Sequence, residues 1–135
     1  MILKKEILLV LDAKNANGRI YRKADVEKHL DDLNSRTPML GAILDHITEN
    51  DGDLPLNKVI FDATDFEITD NKFVADIRML PAFDILDIDI NDYVFRPISI
   101  GSPDEDGNII LENIQFVAML HSDKDSYAGL VEPRQ

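Results

Sequence analysis

The sequence predicts a β-rich α+β fold, a small and mostly antiparallel β-barrel flanked by one or two helices. Three observations predict it. Runs rich in Ile, Leu, Val and Phe recur five or six times, separated by turn-forming pairs such as Asn17-Gly18, Asp70-Asn71 and Asp106-Gly107. Clear helical spacing occurs in one stretch, residues 23–33. Finally, 135 residues at 44% hydrophobic content suit one core rather than two, so residues 1–135 read as a single domain with 122–135 as a polar surface tail.

Residues 2–11 read as a buried strand, ended by a turn in which Asn17-Gly18 tolerates positive φ. In residues 23–33, Val26, Leu30 and Leu33 stand at i, i+4 and i+7 with charges between them, which predicts an amphipathic helix of about three turns. Residues 39–46 form a short apolar segment that delivers Asp45-His46. Residues 58–69 alternate apolar and polar, Asp70-Asn71 turns, and residues 72–80 return as the second arm of a hairpin. Residues 83–92 fit helical and strand spacing alike; Pro81 just ahead favours a helix start. Residues 93–100 make a strand in which Pro97 marks an edge or a bulge. A turn at 104–108 leads to the last long strand, residues 109–120.

Composition narrows the function. Acidic residues outnumber basic ones 26 to 14, a net charge of −12 that repels phosphate backbones, so no nucleic-acid partner is expected. Apolar runs are only a few residues long, which predicts neither a membrane span nor a secretory signal. With no cysteine, thiol catalysis and cysteine-ligated zinc are excluded. The acidic loop at 102–113 lacks the closing glutamate of a calcium-binding loop, having Asn113 there, so neither a metal nor another cofactor is expected.

Catalytic candidates are few. Of the three histidines, His29 sits among charged helix residues and is expected to be solvated. His46 and His121 each end an apolar segment. Ser99 lies in an apolar strand beside Gly101, whose bare backbone would let a substrate carbonyl approach. A serine hydrolase needs a hydroxyl activated by an imidazole, a third group that orients the imidazole, and oxyanion donors. Taken singly, these residues read first as a strand serine beside a bulge glycine and as surface or capped histidines.

In order along the chain, Asn17-Gly18-Arg19-Ile20-Tyr21, Leu44-Asp45-His46, Ile98-Ser99-Ile100-Gly101 and the strand Ile114-Gln115-Phe116-Val117-Ala118-Met119-Leu120 resemble motifs of the tailed-phage prohead (head maturation) proteases. The resemblance spans about residues 5–130. It implies the β-barrel shared with herpesvirus assemblins and a serine endopeptidase acting inside the immature head. Scaffold and major capsid proteins would be its partners, a homo-oligomer is a further expectation, and the host cytoplasm, within the prohead or virion, would be its place. Mapped onto this chain, Ser99 becomes the nucleophile, His46 the general base and His121 the candidate third member. Where related phage enzymes carry an acidic residue on the last strand, this chain has Gln115 or Phe116. It also has Arg22 and Ile47 at the motifs' prolines, Ile43 at a glutamate and Ile100 at a second serine. These departures define the alternative: a catalytically silent protease fold kept as a capsid-associated or decoration component. The catalytic reading requires the Ser99 hydroxyl and a His46 ring nitrogen within about 3–4 Å.

Overall fold

A computed structural model describes residues 1–15, 18–44 and 53–122. The elements run β1 (Ile2–Val10), β2 (Ile20–Tyr21), α1 (Lys23–Glu27), α2 (Leu30–Ser35), β3 (Met39–Ile43), β4 (Val59–Thr69), β5 (Lys72–Met79), α3 (Pro81–Ile85), β6 (Tyr93–Pro103) and β7 (Asn108–His121). The tail beyond Ser122 lies outside the described residues.

The seven strands form one sheet in the order β1-β5-β4-β3-β7, with β2 beside the start of β7 and β6 antiparallel along the whole of it. β2 and β3 share the other edge of β7, and both run parallel to it. The expected closed barrel is corrected here to a curled half-barrel. β1 comes alongside β6, yet no ladder joins them among the described residues. Closure depends on the register and twist of strands about ninety residues apart, which local periodicity does not encode.

The hairpin of β4 and β5 forms as the alternation predicts, its two-residue turn holding Asp70 at φ 56°. β4 bulges between Thr64 and Glu67, where Asp65 takes φ 53°. The Asn34 amide repairs this break: its Nδ2 donates to the Phe66 carbonyl at 2.9 Å, and its Oδ1 accepts the Phe66 N–H at 2.9 Å. β1 bulges between Leu3 and Glu6, with Lys5 at φ 51°. Pro97 lies on β6, whose only partner among the described residues is β7, so its missing N–H costs the sheet no ladder bond on the open side.

The helix expected over 23–33 is two short helices broken at Lys28 and His29. Packing against β7 accounts for the break. Asp25 accepts the Leu111 N–H at 2.7 Å, and the His29 Nε2 donates to the Leu111 carbonyl at 3.1 Å. His29 is therefore half-buried and pinned to the sheet, which corrects its reading as a solvated residue. Val26 and Leu33 enter the core as their spacing predicts. Pro81 begins α3, but that helix is one turn and a short 3-10 turn at Ile90–Asp92 follows.

Two apolar clusters occupy opposite faces of the curled sheet. The main core, inside the curl, includes Leu8, Phe61, Phe73, Ile77, Phe95, Ile114 and Met119. Burying each such side chain contributes about 1.5–3 kcal/mol. Phe61 and Phe95 meet edge to face with centroids 5.2 Å apart, and a Cβ on Gly41 would stand 2.0 Å from the Phe61 ring. The second cluster gathers Ala42, Leu44, Val94, Ile98, Phe116, Ala118 and Leu120, with Leu54 packed against them.

Candidate functional site

β3, β7 and β6 lie side by side, and their register locates the residues singled out from the sequence. Ala42 stands opposite Ala118, which stands opposite Arg96; Ile43 stands opposite Met119 and Phe95. The Leu44 N–H donates to the Met119 carbonyl at 3.1 Å, so the chain leaves β3 at this level. Asp45 and His46 lie outside the described residues, and with them the Ser99–His46 distance.

Ser99 is half-buried and pairs with Ile114, beyond a bulge between Ile98 and Ser99. Five positions of β7 separate Ile114 from Met119, about 17 Å of strand at the usual rise. Directly opposed residues of a ladder share a face. Ser99 therefore shares the face of Ile114, a main-core residue, whereas Ala42 and Leu44 belong to the second cluster.

His121 sits at the other end of the same hairpin. It pairs with Tyr93, and the two rings meet edge to face at 5.1 Å. Six β6 positions, about 20 Å in an extended strand, separate Tyr93 from Ser99, so the fold does not bring His121 and Ser99 together. Bulges at 98/99 and 100/101 shorten this span by only a few ångströms.

The polar group level with the end of β3 is Arg96. Its residue is 5% exposed, on the face shared with Ala118, and burial pushes its guanidinium down to about 10, still charged at neutral pH. The sequence reading passed over it, although a lone charge inside Val94-Phe95-Arg96-Pro97-Ile98 is the signal of a buried cation.

The Asn17-to-Tyr21 motif, described from Gly18 onward, works as a clasp on the β6–β7 turn. The Ile20 N–H donates to the Gly107 carbonyl at 2.9 Å, and the Arg22 Nε donates to Asn108 Oδ1 at 2.7 Å. Gly107, at φ 85°, leaves room for the Gly18 carbonyl, which would lie 2.8 Å from any Cβ added there. Asp104 closes the turn by accepting the Asn108 side-chain amide at 3.1 Å and the Asp106 and Asn108 N–H groups at 2.8 and 3.0 Å. The Asn108 amide and these N–H bonds hold its carboxyl below the usual aspartate value. Among the described residues, no cluster of three or more His, Asp or Glu is placed to hold a metal ion, and no helix is long and apolar enough to cross a membrane.

No family model matches the chain, and no curated protein matches it. Among solved structures, the chain is similar to the capsid assembly protease gp21 of bacteriophage T4. The TM-score is 0.63 at 16% identity, over 88% of this chain and 80% of that one. At that identity the likeness is one of fold: a phage capsid-protease-like, β-rich half-barrel.

Proposed function

We propose that the protein is a component of the phage head that keeps the capsid-protease fold to bind a capsid or scaffold protein and no longer hydrolyses peptide bonds. The observation that carries this reading is the register across β3, β7 and β6. Ala42, one residue before the end of β3, is level with Ala118 and the buried Arg96, while Ser99 pairs with Ile114, four β7 positions from Ala118, on the main-core face. Ser99 shares the face of Ile114, a main-core residue, whereas a nucleophile must be open to its base and its substrate. His121 ends the β6–β7 ladder seven β7 positions from Ser99's partner Ile114, which weighs against it as a third member for that serine.

A second reading keeps the endopeptidase, with Ser99 as nucleophile and His46 as base. The retained Ser99 and Asp45-His46 favour it, as does the name of the T4 neighbour, a capsid assembly protease. Either reading locates the protein in the prohead or virion.

One experiment separates the two. The protein and its Ser99→Ala variant are each co-expressed with the major capsid and scaffold proteins of the same phage, and all chains are weighed by intact mass spectrometry. The proposal expects identical, untrimmed masses and a protein that co-purifies with assembled shells. Serine-dependent trimming of any chain would establish the endopeptidase, and absence from the shells would remove the head role.

A further inference from the structure

Seven large apolar residues are exposed among the described residues, and six of them gather at one end of the sheet. Two of the six, Ile2 and Leu40, belong to the row Ile2–Arg78–Asp62–Leu40, near the end where β1 and β4 begin and β5 finishes. Met1 lies beyond that row, its carbonyl accepting the Met79 N–H at 3.0 Å. Leu56 lies beyond it too, in a short 3-10 turn that runs into β4 at Val59. Ile85 ends α3 and Leu86 follows it; that helix starts where the Leu80 N–H donates to the Ile60 carbonyl at 2.9 Å. The seventh, Ile110, sits at the opposite end beside the β6–β7 turn.

The Ile85-Leu86 pair is held outward by its flanks. Phe83 is buried in the main core, and Ile88 and Ile90 pack half-buried against that core, while Ile85 is 84% exposed and Leu86 40%. The Leu86 N–H donates to the Phe83 carbonyl at 3.1 Å, and the Ser122 N–H to the Asp92 carbonyl at 2.8 Å, so both ends of the segment are fixed. Charge surrounds the pair. Asp84, Asp87, Asp89 and Asp92 are all exposed, and no lysine or arginine occurs between Arg78 and Arg96. Among the described residues, no cation pairs with any of the four. Exposed apolar surface with a polar rim is the mark of a protein contact, and here the rim has one sign.

We propose that segment 81–92 docks a cationic, amphipathic segment of a partner polypeptide. The partner's apolar side chains cover Ile85 and Leu86, and its lysines or arginines stand against Asp84, Asp87 and Asp89. The rim decides the occupant. A second copy would bring its own net charge of −12 up against these carboxylates. Nucleic acid and anionic membrane surfaces are repelled in the same way. A neutral apolar peptide would strip water from carboxylates without pairing them, at a cost. Because both flanks are already anchored, docking orders little of this chain. The segment lies outside the β3–β7–β6 region and its partner is defined by chemistry alone, so the site stands or falls separately from the proposed head role.

The test is a titration of the ¹⁵N-labelled protein, at about 150 mM salt, with an amphipathic peptide of lysine and leucine at helical spacing. One control peptide has its leucines replaced by serine, the other its lysines replaced by glutamine. The expected result is saturable amide shifts centred on residues 83–92, with each control peptide binding at least about tenfold more weakly. Ile85→Ser removes apolar surface at an exposed position, and Asp87→Asn removes one charge while keeping a residue that tolerates φ 50°. Ile85→Ser is expected to weaken binding about tenfold and Asp87→Asn about threefold, whereas Ile110→Ser, at the opposite end, leaves it unchanged. Shifts spread over the acidic turn at 104–106, equal binding of the lysine–serine peptide, or an affinity unchanged in Ile85→Ser would reduce the contact to general charge attraction and overturn the proposal. So would a concentration-dependent dimer broken by Ile85→Ser, which would make the occupant a second copy.

Discussion

Asn34 shows how much one side chain can carry where a ladder is interrupted. The β4 bulge takes Phe66 out of the regular pairing, and the Asn34 amide supplies both a donor and an acceptor in place of a strand. Asn34→Ala is expected to lower the stability to urea by about 1–2 kcal/mol, with Asn34→Asp, which keeps only the acceptor, falling between. Asp76 is the second such residue. The Lys5 N–H bond, helped by Lys4, holds its carboxyl below the usual aspartate value of 3.8 against the opposing effect of burial. The folded state thus binds fewer protons than the unfolded chain in that range. Asp76 contributes stability above the ordinary aspartate pKa and loses it as pH falls through its lowered folded value. Asp76→Asn is expected to be less stable than the native protein at pH 7 and to lose less on acidification from about pH 5 to 3, as followed by thermal melting. Neither role was legible in the sequence. Asn34 falls just past the helix expected over 23–33 and Asp76 within the return arm expected over 72–80, and nothing local marks either, because both act on backbone about thirty to seventy positions away.

Among the elements, β3 is the tightest fit. Gly41 faces the Phe61 ring, which is fully buried and wedged against Phe95, so the ring cannot yield. Gly41→Ala is expected to destabilise the fold by about 1–3 kcal/mol or to leave the protein insoluble, measured by urea denaturation or soluble yield. The β6–β7 turn is more forgiving because it is exposed. Gly107→Ala is expected to cost about 1 kcal/mol through its positive φ and the nearby Gly18 carbonyl, and to speed amide exchange at Ile20. Element types were largely legible: the β4–β5 hairpin, the Pro97 edge strand and the apolar stripe of Val26, Leu30 and Leu33 follow from period and turn chemistry. What local pattern omits is contact with distant strands. The bonds of Asp25 and His29 to Leu111 accompany the break of one predicted helix into two, and the parallel pairing of β2 with β7 depends on a turn 86 residues away.

For the molecule as a whole, the net charge of −12 on 135 residues makes self-repulsion a standing cost to the compact state. Raising sodium chloride from about 10 to 150 mM is expected to raise the melting temperature, since the screening length shortens from about 30 to 8 Å. At this scale the sequence conveyed a β-rich fold and a phage-protease resemblance. The spatial relation among Ser99, His46 and His121 was not available to it, because motif order along a chain does not fix position along a strand. β7 spans fourteen residues; His121 ends its pairing with β6, whereas Ser99 pairs with Ile114, seven positions earlier and near the middle. The unclosed seam between β1 and β6 has its own consequence. Two sheet edges that would each template a foreign strand are turned toward one another, and each blocks approach to its neighbour. The bulge at Lys5 and the ring of Pro97 further spoil any straight ladder along them. The seam thus guards the protein against edge-to-edge aggregation.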